Sequence, residues 1–346
     1  MKKYLVTGGA GFIGANLCRR LLSDGLDVMV LDNLSRPGAE ENIEWLSADF
    51  DVTLSKVDIR DSEQVDDVVS SYMPETIVHL ASQVAVTTSV ADPRTDFDIN
   101  ARGTFNLLEA VRKTKYKPTF LFASTNKVYG ASPSMRIDET DTSYIIRDPA
   151  LGLSETASLD FHSPYGCSKG AADQYVRDYY RIYGIPTVVL RQSCIYGPRQ
   201  FGIEDQGWVA WFAIASILGM PVTIYGDGKQ ARDLLFIDDL LDCYMRMMEM
   251  GNLVAGHVYN IGGGAENRLS IMELISMLES ITGDKINAEK SDWRPGDQKI
   301  YVSDISKAAT DTGWRPKTDV KTGVEKLVAW IKDNLNAIVG VLDGKA

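Results

Sequence analysis

Three glycines at a regular spacing, Gly8, Gly11 and Gly14, separate a short apolar segment, Lys3–Thr7, from an amphipathic one. This pattern predicts a strand, a tight turn and a helix, with backbone N–H groups free to approach a pyrophosphate at the N-terminus of the helix. A second predicted strand ends in Asp32, about 18 residues beyond Gly14, where dinucleotide-binding folds place the carboxylate that accepts from the adenosine ribose hydroxyls. The alternative is a structural glycine turn beside a surface aspartate.

The acid at the end of the second strand also bears on which dinucleotide is bound. Arg36 follows Asp32 closely and could contact a 2′-phosphate, as NADP carries. Asp32 would repel that phosphate, however, so the sequence favours NAD over NADP.

Strand-like and helix-like segments then alternate along the chain. The predicted strands are Val52–Val57, Thr76–Leu80 and Thr119–Ala123, and the predicted helices are Glu63–Tyr72 and Asp96–Thr114. Strands separated by helices indicate an α/β fold with a doubly wound parallel sheet of the Rossmann type, in which ligands gather at the carboxyl ends of the strands.

The alternation loosens beyond residue 190, where longer loops and mixed elements predict a smaller mixed α/β substrate-binding lobe. We predict an NAD-binding domain over residues 1–190 and this second, substrate-binding lobe over 191–233 and 263–346. Two strands between residues 234 and 262, Leu234–Ile237 and His257–Ile261, are predicted to return to the main sheet.

Tyr165 and Lys169 stand four residues apart in a segment that predicts a helix to about Tyr183, so they share one helix face. An ammonium beside a phenol is expected to lower the pKa of the tyrosine from about 10 towards working pH. Such a tyrosine can take a proton from a sugar hydroxyl while a hydride leaves the same carbon, and can later return it. The spacing also arises by chance on exposed helices.

Composition excludes several other classes of protein. The 36 Lys and Arg against 47 Asp and Glu give a formal net charge of −11, which does not suit nucleic-acid binding. Four scattered cysteines without a Cys-x-x-Cys pair argue against a zinc site or a disulfide framework and for the cytoplasm. Only three apolar residues follow Met1-Lys2-Lys3 before Thr7, too few for a secretion signal. Gly219 and Pro221 divide the longest apolar run, Trp208–Tyr225, so no membrane span is expected.

Taken together, segment 7–14, Asp32, Ser124-Thr125 and the Tyr165–Lys169 pair resemble the extended short-chain dehydrogenase/reductase family over essentially the whole chain. The resemblance implies that Tyr165 is the acid/base, that Lys169 binds the nicotinamide ribose, and that Thr125, or alternatively Ser124, hydrogen-bonds the reacting oxygen. The residues predicted to bind NAD are Gly8, Gly11, Phe12, Ile13, Gly14, Asp32, Asn33, Ser35, Arg36, Asp58, Ile59, Leu80, Ala81, Gln83, Asn100, Ser124, Tyr165 and Lys169.

Four longer segments, 32–38, 124–130, 159–170 and 205–209, are similar to those of CDP-tyvelose (CDP-paratose) 2-epimerases. Members of that family are isomerases of lipopolysaccharide O-antigen biosynthesis. They oxidise carbon 2 of the hexose, turn the 2-keto sugar over and reduce its other face. The alternatives are a UDP-hexose 4-epimerase and a non-catalytic NAD-binding sensor. The resemblance also implies a homo-oligomer, a dimer or tetramer, formed through the Asp96–Thr114 and Tyr165–Tyr183 helices.

Residues near the predicted catalytic group distinguish epimerisation from related reactions. Sugar-nucleotide 4,6-dehydratases of the superfamily carry an acidic pair where this chain has Asn126 and Lys127, so elimination is disfavoured. Cys194 could suggest deprotonation by a thiol, although a small buried cysteine is the usual explanation. Arginines on glycine-containing turns suit diphosphate oxygens. The residues predicted to contact substrate are Asn126, His162, Ser193, Arg199, Arg232 and Arg294.

Overall fold

A computed structural model of the chain describes residues 2–130, 135–148, 151–294 and 296–344. Strands and helices alternate from the first strand to the middle of the chain. In order they are β1 (Lys3–Thr7), α1 (Phe12–Ser23), β2 (Asp27–Leu31), α2 (Ala39–Ser47), β3 (Thr53–Ser55), α3 (Ser62–Tyr72), β4 (Thr76–His79), α4 (Val86–Ala91), α5 (Pro93–Phe97), a π-helical turn (Asp98–Gly103), α6 (Thr104–Lys113), β5 (Thr119–Thr125), a 3₁₀ turn (Asn126–Tyr129), β6 (Arg136–Glu139), β7 (Tyr144–Asp148), α7 (Ser163–Tyr183) and β8 (Thr187–Gln192).

The second half of the chain has shorter strands and no simple alternation. In order its elements are β9 (Cys194–Tyr196), α8 (Trp208–Leu218), β10 (Val222–Tyr225), β11 (Ala231–Phe236), α9 (Ile237–Met250), a 3₁₀ turn (Gly251–Leu253), β12 (Val258–Ile261), a 3₁₀ turn (Ala265–Asn267), β13 (Arg268–Ser270), α10 (Ile271–Thr282), β14 (Ala288–Ser291), β15 (Ile300–Tyr301), α11 (Ser306–Thr312), α12 (Val320–Asp333) and α13 (Leu335–Leu342).

The central sheet has seven strands in the order β12-β8-β5-β4-β1-β2-β3, and every pair in it is parallel. Its strands are apolar on both faces because helices cover both. Leu5 of β1 packs with α3, α6 and α7, while its neighbour Val6 packs with α1, α8 and α9. The α/β, doubly wound class predicted from the sequence is therefore confirmed.

The order of the strands reverses at β1, which has β4 on one side and β2 on the other. The connections therefore diverge there, and a cleft opens above the carboxyl ends of these strands. The residues that follow β1, β2, β4 and β5 in the sequence all come to this edge of the sheet.

One of the two strands predicted to return to the main sheet does so. β12 pairs with β8 in parallel, as expected for His257–Ile261. The prediction for Leu234–Ile237 is wrong, because β11 pairs with β9, β13 and β15 in a separate sheet. β12 already occupies the free edge of β8, and an apolar strand is buried equally well in the smaller sheet. The division at residue 190 remains a prediction, and it would cut through β8.

The segment predicted as one helix over Asp96–Thr114 contains three elements, α5, the π-helical turn and α6. Within the wide turn the Thr104 hydroxyl donates to the Asn100 carbonyl at 2.6 Å. A Cβ on Gly103 would lie 2.6 Å from Ile59 Cδ1, so the Ile59 side chain would have to move to admit any other residue there. The apolar run of α8 and β10 divides at Gly219, as predicted, and no helix of the described residues is long and apolar enough to cross a membrane.

Candidate active site

The glycine turn is as tight as its spacing predicts. Gly8 has a φ of +69°, and the Gly11 N–H donates to the Gly8 carbonyl at 3.0 Å. A Cβ on Gly14 would lie only 2.1 Å from that carbonyl oxygen, which excludes any other residue there. In the part of the chain that the structure describes, no side chain caps the N-terminus of α1, so the N–H groups of its first turn remain available to an anion.

Asp32 holds the turn and the end of β2 together. Its two carboxylate oxygens accept from the backbone N–H groups of Ala10, at 3.0 Å, and Leu34, at 2.9 Å. Burial raises the pKa of Asp32, and these two hydrogen bonds act in the opposite direction. The carboxylate is thus fixed at the edge of the cleft, where the sequence predicts a ribose.

The cleft above β1 has a volume of about 420 Å³. All the residues predicted to bind NAD line it, except Asn100. At one end Asp58 accepts from Asn33 Nδ2 at 2.8 Å and from the guanidinium of Arg60, whose hydrogen bond lowers the pKa of Asp58 to about 2. At the other end lie Tyr165 and Lys169. One cleft therefore connects the glycine turn to the predicted acid/base.

Asn100 lies behind the wall of the cleft instead of in it. Its Oδ1 accepts from the Gln83 N–H and the Ser82 hydroxyl, each at 2.9 Å, and its Nδ2 donates to the Gln83 carbonyl at 3.0 Å. Asn100 is 1% exposed. Asn100 supports the segment Ser82–Gln83, which lines the cleft, and the structure does not place it in the cleft itself.

Tyr165, Thr125 and Lys169 meet where β5 and α7 converge. Thr125 hydrogen-bonds the Tyr165 phenol, and the Tyr165 N–H donates to Ser89 Oγ at 3.1 Å. Lys169 Nζ donates to the Ala123 carbonyl at 2.6 Å. All three predicted residues are buried, at 7–8% exposure for Thr125 and Tyr165 and 4% for Lys169.

The pKa of Tyr165 moves in the opposite direction to the one that the sequence predicts. Burial raises it to about 12, only partly offset by the Thr125 hydrogen bond. Burial also lowers the pKa of Lys169 to about 7, against the effect of Asp173 and Asp96. Because the interior has low polarity, the free-energy cost of ionising the phenol or protonating the amine exceeds the stabilisation that one neighbouring group provides. The ammonium group is also turned towards the Ala123 carbonyl and the Phe122 ring, at 4.3 Å from its centroid.

A buried ion pair supports this end of the cleft. Arg191 Nε and Nη2 donate to the two carboxylate oxygens of Asp173 at 2.9 and 3.0 Å, and the two side chains are 2% and 0% exposed. Ser124 Oγ donates to Asp173 Oδ2 at 2.8 Å. Ser124 is the alternative to Thr125 as the donor to the reacting oxygen, and its hydroxyl instead donates to this carboxylate.

The residues predicted to contact substrate are dispersed, and none lines the cleft. Asn126 follows Thr125 and is 6% exposed, and Ser193 Oγ donates to Asp233. Arg294 lies 3.2 Å from Asp205 and 3.6 Å from the centroid of the Tyr225 ring. Their contact with substrate stays a prediction.

Three further side chains complete the predicted set. Arg232 donates to the Ala231 carbonyl at 2.8 Å and lies close enough to Lys127 to help lower the pKa of that amine to about 8, after burial. His162 lies beside Gly296, since a Cβ on that glycine would lie 3.4 Å from its ring. Arg199 is placed elsewhere: it is 5% exposed and donates to Asn42 Oδ1 and the Glu41 carbonyl. Its donors therefore connect the loop after β9 to helix α2.

Several residues of the site escaped the sequence analysis. Gln192 and Gln206 line the cleft, and Gln192 could have been found because it ends β8. Asp173 follows Lys169 by one helical turn, a spacing that indicates a shared face. Arg191 gives no such signal, because the sequence around a charged residue in an apolar strand does not indicate which residue forms an ion pair with it.

Comparison with known proteins agrees with this architecture. The sequence pattern of the family described as GDP-mannose 4,6 dehydratase matches residues 5–327. The chain belongs to that family, a branch of the extended short-chain dehydrogenases/reductases. It is 44% identical over 333 residues to a CDP-paratose 2-epimerase of Salmonella typhi, which covers 95% of this chain and 98% of that protein.

Solved structures lead to the same family. A UDP-glucose 4-epimerase of Thermus thermophilus in complex with NAD superposes with a TM-score of 0.80 at 32% identity, over 95% of this chain and 99% of that one. A UDP-glucuronic acid 4-epimerase of Bacillus cereus, in complex with UDP-glucuronic acid and NAD, gives 0.82 at 31% identity, over 96% and 99% of the two chains. The fold and the cleft are therefore those of nucleotide-sugar enzymes of this family.

The buried ion pair generates a stability prediction. Asp173→Ala leaves the Arg191 guanidinium buried without its carboxylate, and we expect the free energy of unfolding to fall by about 3–5 kcal/mol. The control is Asp138→Ala, which removes the partner of the exposed Arg147 and should change stability little. Denaturant-induced unfolding of both variants measures the difference, and equal losses would contradict the role given to Asp173.

Proposed function

We propose that the protein is an NAD-dependent epimerase that inverts carbon 2 of a CDP-activated hexose, in the manner of CDP-paratose to CDP-tyvelose. The observation that carries this proposal is the Thr125–Tyr165–Lys169 group at one end of a dinucleotide cleft, in a chain 44% identical to a CDP-paratose 2-epimerase. A sugar hydroxyl that reaches Tyr165 would lie beside the end of that cleft.

The residues of the cleft fit NAD. Gly8 and Gly14 have no room for a Cβ, and the close turn that they permit leaves space for a pyrophosphate at the start of α1. Gln83 Oε1 and Gln206 Oε1 line the cleft, are buried and lack a hydrogen-bond partner among the described residues, so a polar ligand would satisfy them. NAD, when bound, supplies the acceptor and donor of a hydride.

Tyr165 moves the proton that accompanies this hydride. With a pKa of about 12 it is protonated in the ligand-free protein, and positive charge brought to the cleft favours its ionised form. Lys169, held at the Ala123 carbonyl, supplies part of that charge when it is protonated. Thr125 fixes the direction of the phenol, so that oxidation and re-reduction use the same group.

The end of β5 argues against elimination of water from the sugar. Asn126 and Lys127 follow Thr125 there, and neither side chain is a carboxylate. Cys194 is a poor candidate for a base because burial raises the pKa of its thiol. A UDP-hexose 4-epimerase remains the second candidate, since the solved 4-epimerases share this fold. A sensor without activity would not need a complete Thr125–Tyr165–Lys169 group.

The diphosphate of the substrate is proposed to bind at the basic side chains beyond this group. Lys127 and Arg232 are close neighbours, and no carboxylate of the described residues lies within 4.0 Å of either cation. The charge of Asp297 acts on both cations but forms no ion pair with either within 4.0 Å, and two like charges in a partly buried place favour an anion. Arg294 is paired with Asp205, which a phosphate would have to displace.

Turnover by a Tyr165→Phe variant tests the proposed function. We expect the unmodified protein to release NAD on denaturation and to invert a CDP-hexose, while Tyr165→Phe folds, retains NAD and loses at least ~10²-fold in kcat, the scale of one positioned proton-transfer group. UDP- and GDP-hexoses serve as the comparison substrates. Inversion of a UDP-hexose at carbon 4 would favour the second candidate, and NAD-free, inactive protein would contradict both.

We also propose that a second copy of the chain covers the outer face of α5, α6 and α7. Large apolar side chains are exposed there: Phe97 by 54%, Tyr175 by 48% and Ile182 by 64%. Apolar area of this kind on neighbouring helices marks protein contacts. The two helical segments for which the sequence predicts an oligomer contain these residues.

A substitution that introduces one negative charge on the outer face of these helices tests the proposed assembly. Phe97→Glu is expected to shift the protein to monomers at micromolar concentration, because a carboxylate would be buried in the contact. Leu253→Glu, at a side chain that is 77% exposed after α9, is the matched control and should leave the assembly unchanged. Sedimentation velocity distinguishes the two, and a monomeric unmodified protein would refute the proposal.

A further inference from the structure

A buried carboxylate lies behind the acid/base pair and takes no part in the chemistry described so far. Asp96, in α5, is 1% exposed, and no ion pair within 4.0 Å includes it in the part of the chain that the structure describes. Its Oδ2 accepts from Ser168 Oγ at 2.5 Å and its Oδ1 from Asn100 Nδ2 at 3.1 Å. A carboxylate buried among neutral donors is costly and calls for an explanation.

The orientation of Asn100 identifies the donors in this group. A backbone N–H can only donate, so the atom that receives the Gln83 N–H at 2.9 Å is the amide oxygen of Asn100. Its NH₂ group therefore faces Asp96 Oδ1, Ser168 Oγ and the Gln83 carbonyl at 3.0–3.1 Å, and its two hydrogens are shared among these three acceptors. The Ser168 proton then goes to Asp96, at 2.5 Å, in preference to the Tyr165 carbonyl, at 3.2 Å. Both Asp96 oxygens receive hydrogen bonds, as those of an ionised carboxylate do.

The charge of this carboxylate acts on both members of the pair. Ser168 lies between Tyr165 and Lys169 in α7, and Asp96 raises the pKa of each of them. Burial raises the pKa of Asp96 itself, whereas the Ser168 hydrogen bond and the charge of Lys169 lower it. The negative charge of Asp96 thus favours the protonated forms of Tyr165 and Lys169.

The other titratable groups around Tyr165 and Lys169 either form an ion pair or are uncharged. Asp173, also on α7, is paired with Arg191 of β8. His79 of β4 lies near Lys169, and burial lowers its pKa well below the ordinary value, so it is uncharged. On the segment that follows Asp96, Asp98 faces the exposed Arg102 at 3.3 Å. Asp96 is therefore the carboxylate near the pair that has no cationic partner of its own.

We propose that Asp96 is a positioning residue: an ionised carboxylate that ties the Ser82–Gln83 wall of the cleft to α7 and sets the pH range in which Tyr165 and Lys169 exchange protons. The inference rests on the proposed acid/base role of that pair. A nearby negative charge makes every proton on the pair harder to remove, whichever of the two groups holds it. Removing the charge must therefore move the ionisation of the pair to lower pH.

The test is the pH dependence of kcat for Asp96→Asn, with the nucleotide sugar that the unmodified protein turns over. The acid limb is expected to move to lower pH by about one unit, the effect of one nearby charge. The control, Asp98→Asn, removes a carboxylate two residues away that is exposed and paired, and its limb should coincide with that of the unmodified protein. A lower kcat with an unmoved acid limb would show a merely structural role and overturn the proposal.

A second measurement does not need turnover. In protein carrying ¹³C at the lysine Cε, the Lys169 signal, identified by its loss in Lys169→Met, should titrate near pH 7 and at lower pH in Asp96→Asn. If no nucleotide sugar is turned over, the proposed function fails, but this titration still decides the role of Asp96. Equal midpoints would refute that role.

Ser168→Ala provides the test if Asp96→Asn does not fold. It keeps the carboxylate but removes the 2.5 Å hydrogen bond that favours its ionised form, so part of the charge is lost. A smaller shift of the Lys169 midpoint in the same direction is expected. An unchanged midpoint, or a shift to higher pH, would contradict the proposal.

Discussion

The ion pair between Asp173 and Arg191 joins the elements that form the end of the cleft where Tyr165 and Lys169 lie. Asp173 comes from α7, Arg191 from β8, and the same carboxylate receives the Ser124 hydroxyl from β5. Arg191 Nη1 reaches the Tyr129 hydroxyl at 3.0 Å, and Tyr129 donates to Asn260 of β12 at 2.7 Å. Since both charges are buried, neither can be removed without leaving the other uncompensated. The position of Tyr165 and Lys169, on the helix that carries Asp173, depends on this pair.

A second constraint comes from the backbone. Gly8 and Gly14 approach so closely that neither position can carry a side chain, and Asp32 ties the turn to β2 through two backbone N–H groups. The second half of the chain contacts the segments after β5 and before α7, where Gln298 donates to the Gly130 carbonyl and Gly296 lies against His162. The wall of the cleft is formed mainly by β1–β5, β8 and the segments that follow the strands, and among the described residues Gln206 is the lining residue that comes from the chain beyond β8.

Much of this architecture is encoded in local patterns. The glycine spacing, the acid after β2 and the alternation of apolar strands with amphipathic helices predict the fold and the wall of the cleft, because those signals depend on neighbours in the sequence. The destination of β11 could not be predicted in this way, since its apolar residues suit either sheet. Asn100 and Arg199 show the same limit, because an amide or a guanidinium in the chain does not reveal whether it faces a ligand or the protein. The pKa of Tyr165 depends on burial, and burial is a property of the assembled fold.

The central claim is that inversion proceeds by removal of hydrogen from carbon 2 and its return to the opposite face, with Tyr165 handling only the proton of the hydroxyl. The most direct measurement is the fate of the carbon-bound hydrogen, followed by NMR and mass spectrometry of the product. In D₂O we expect product without solvent deuterium at carbon 2, and substrate deuterated at carbon 2 should keep its label through inversion. Uptake of one solvent deuterium per turnover at carbon 2 would contradict the account and would indicate inversion by deprotonation.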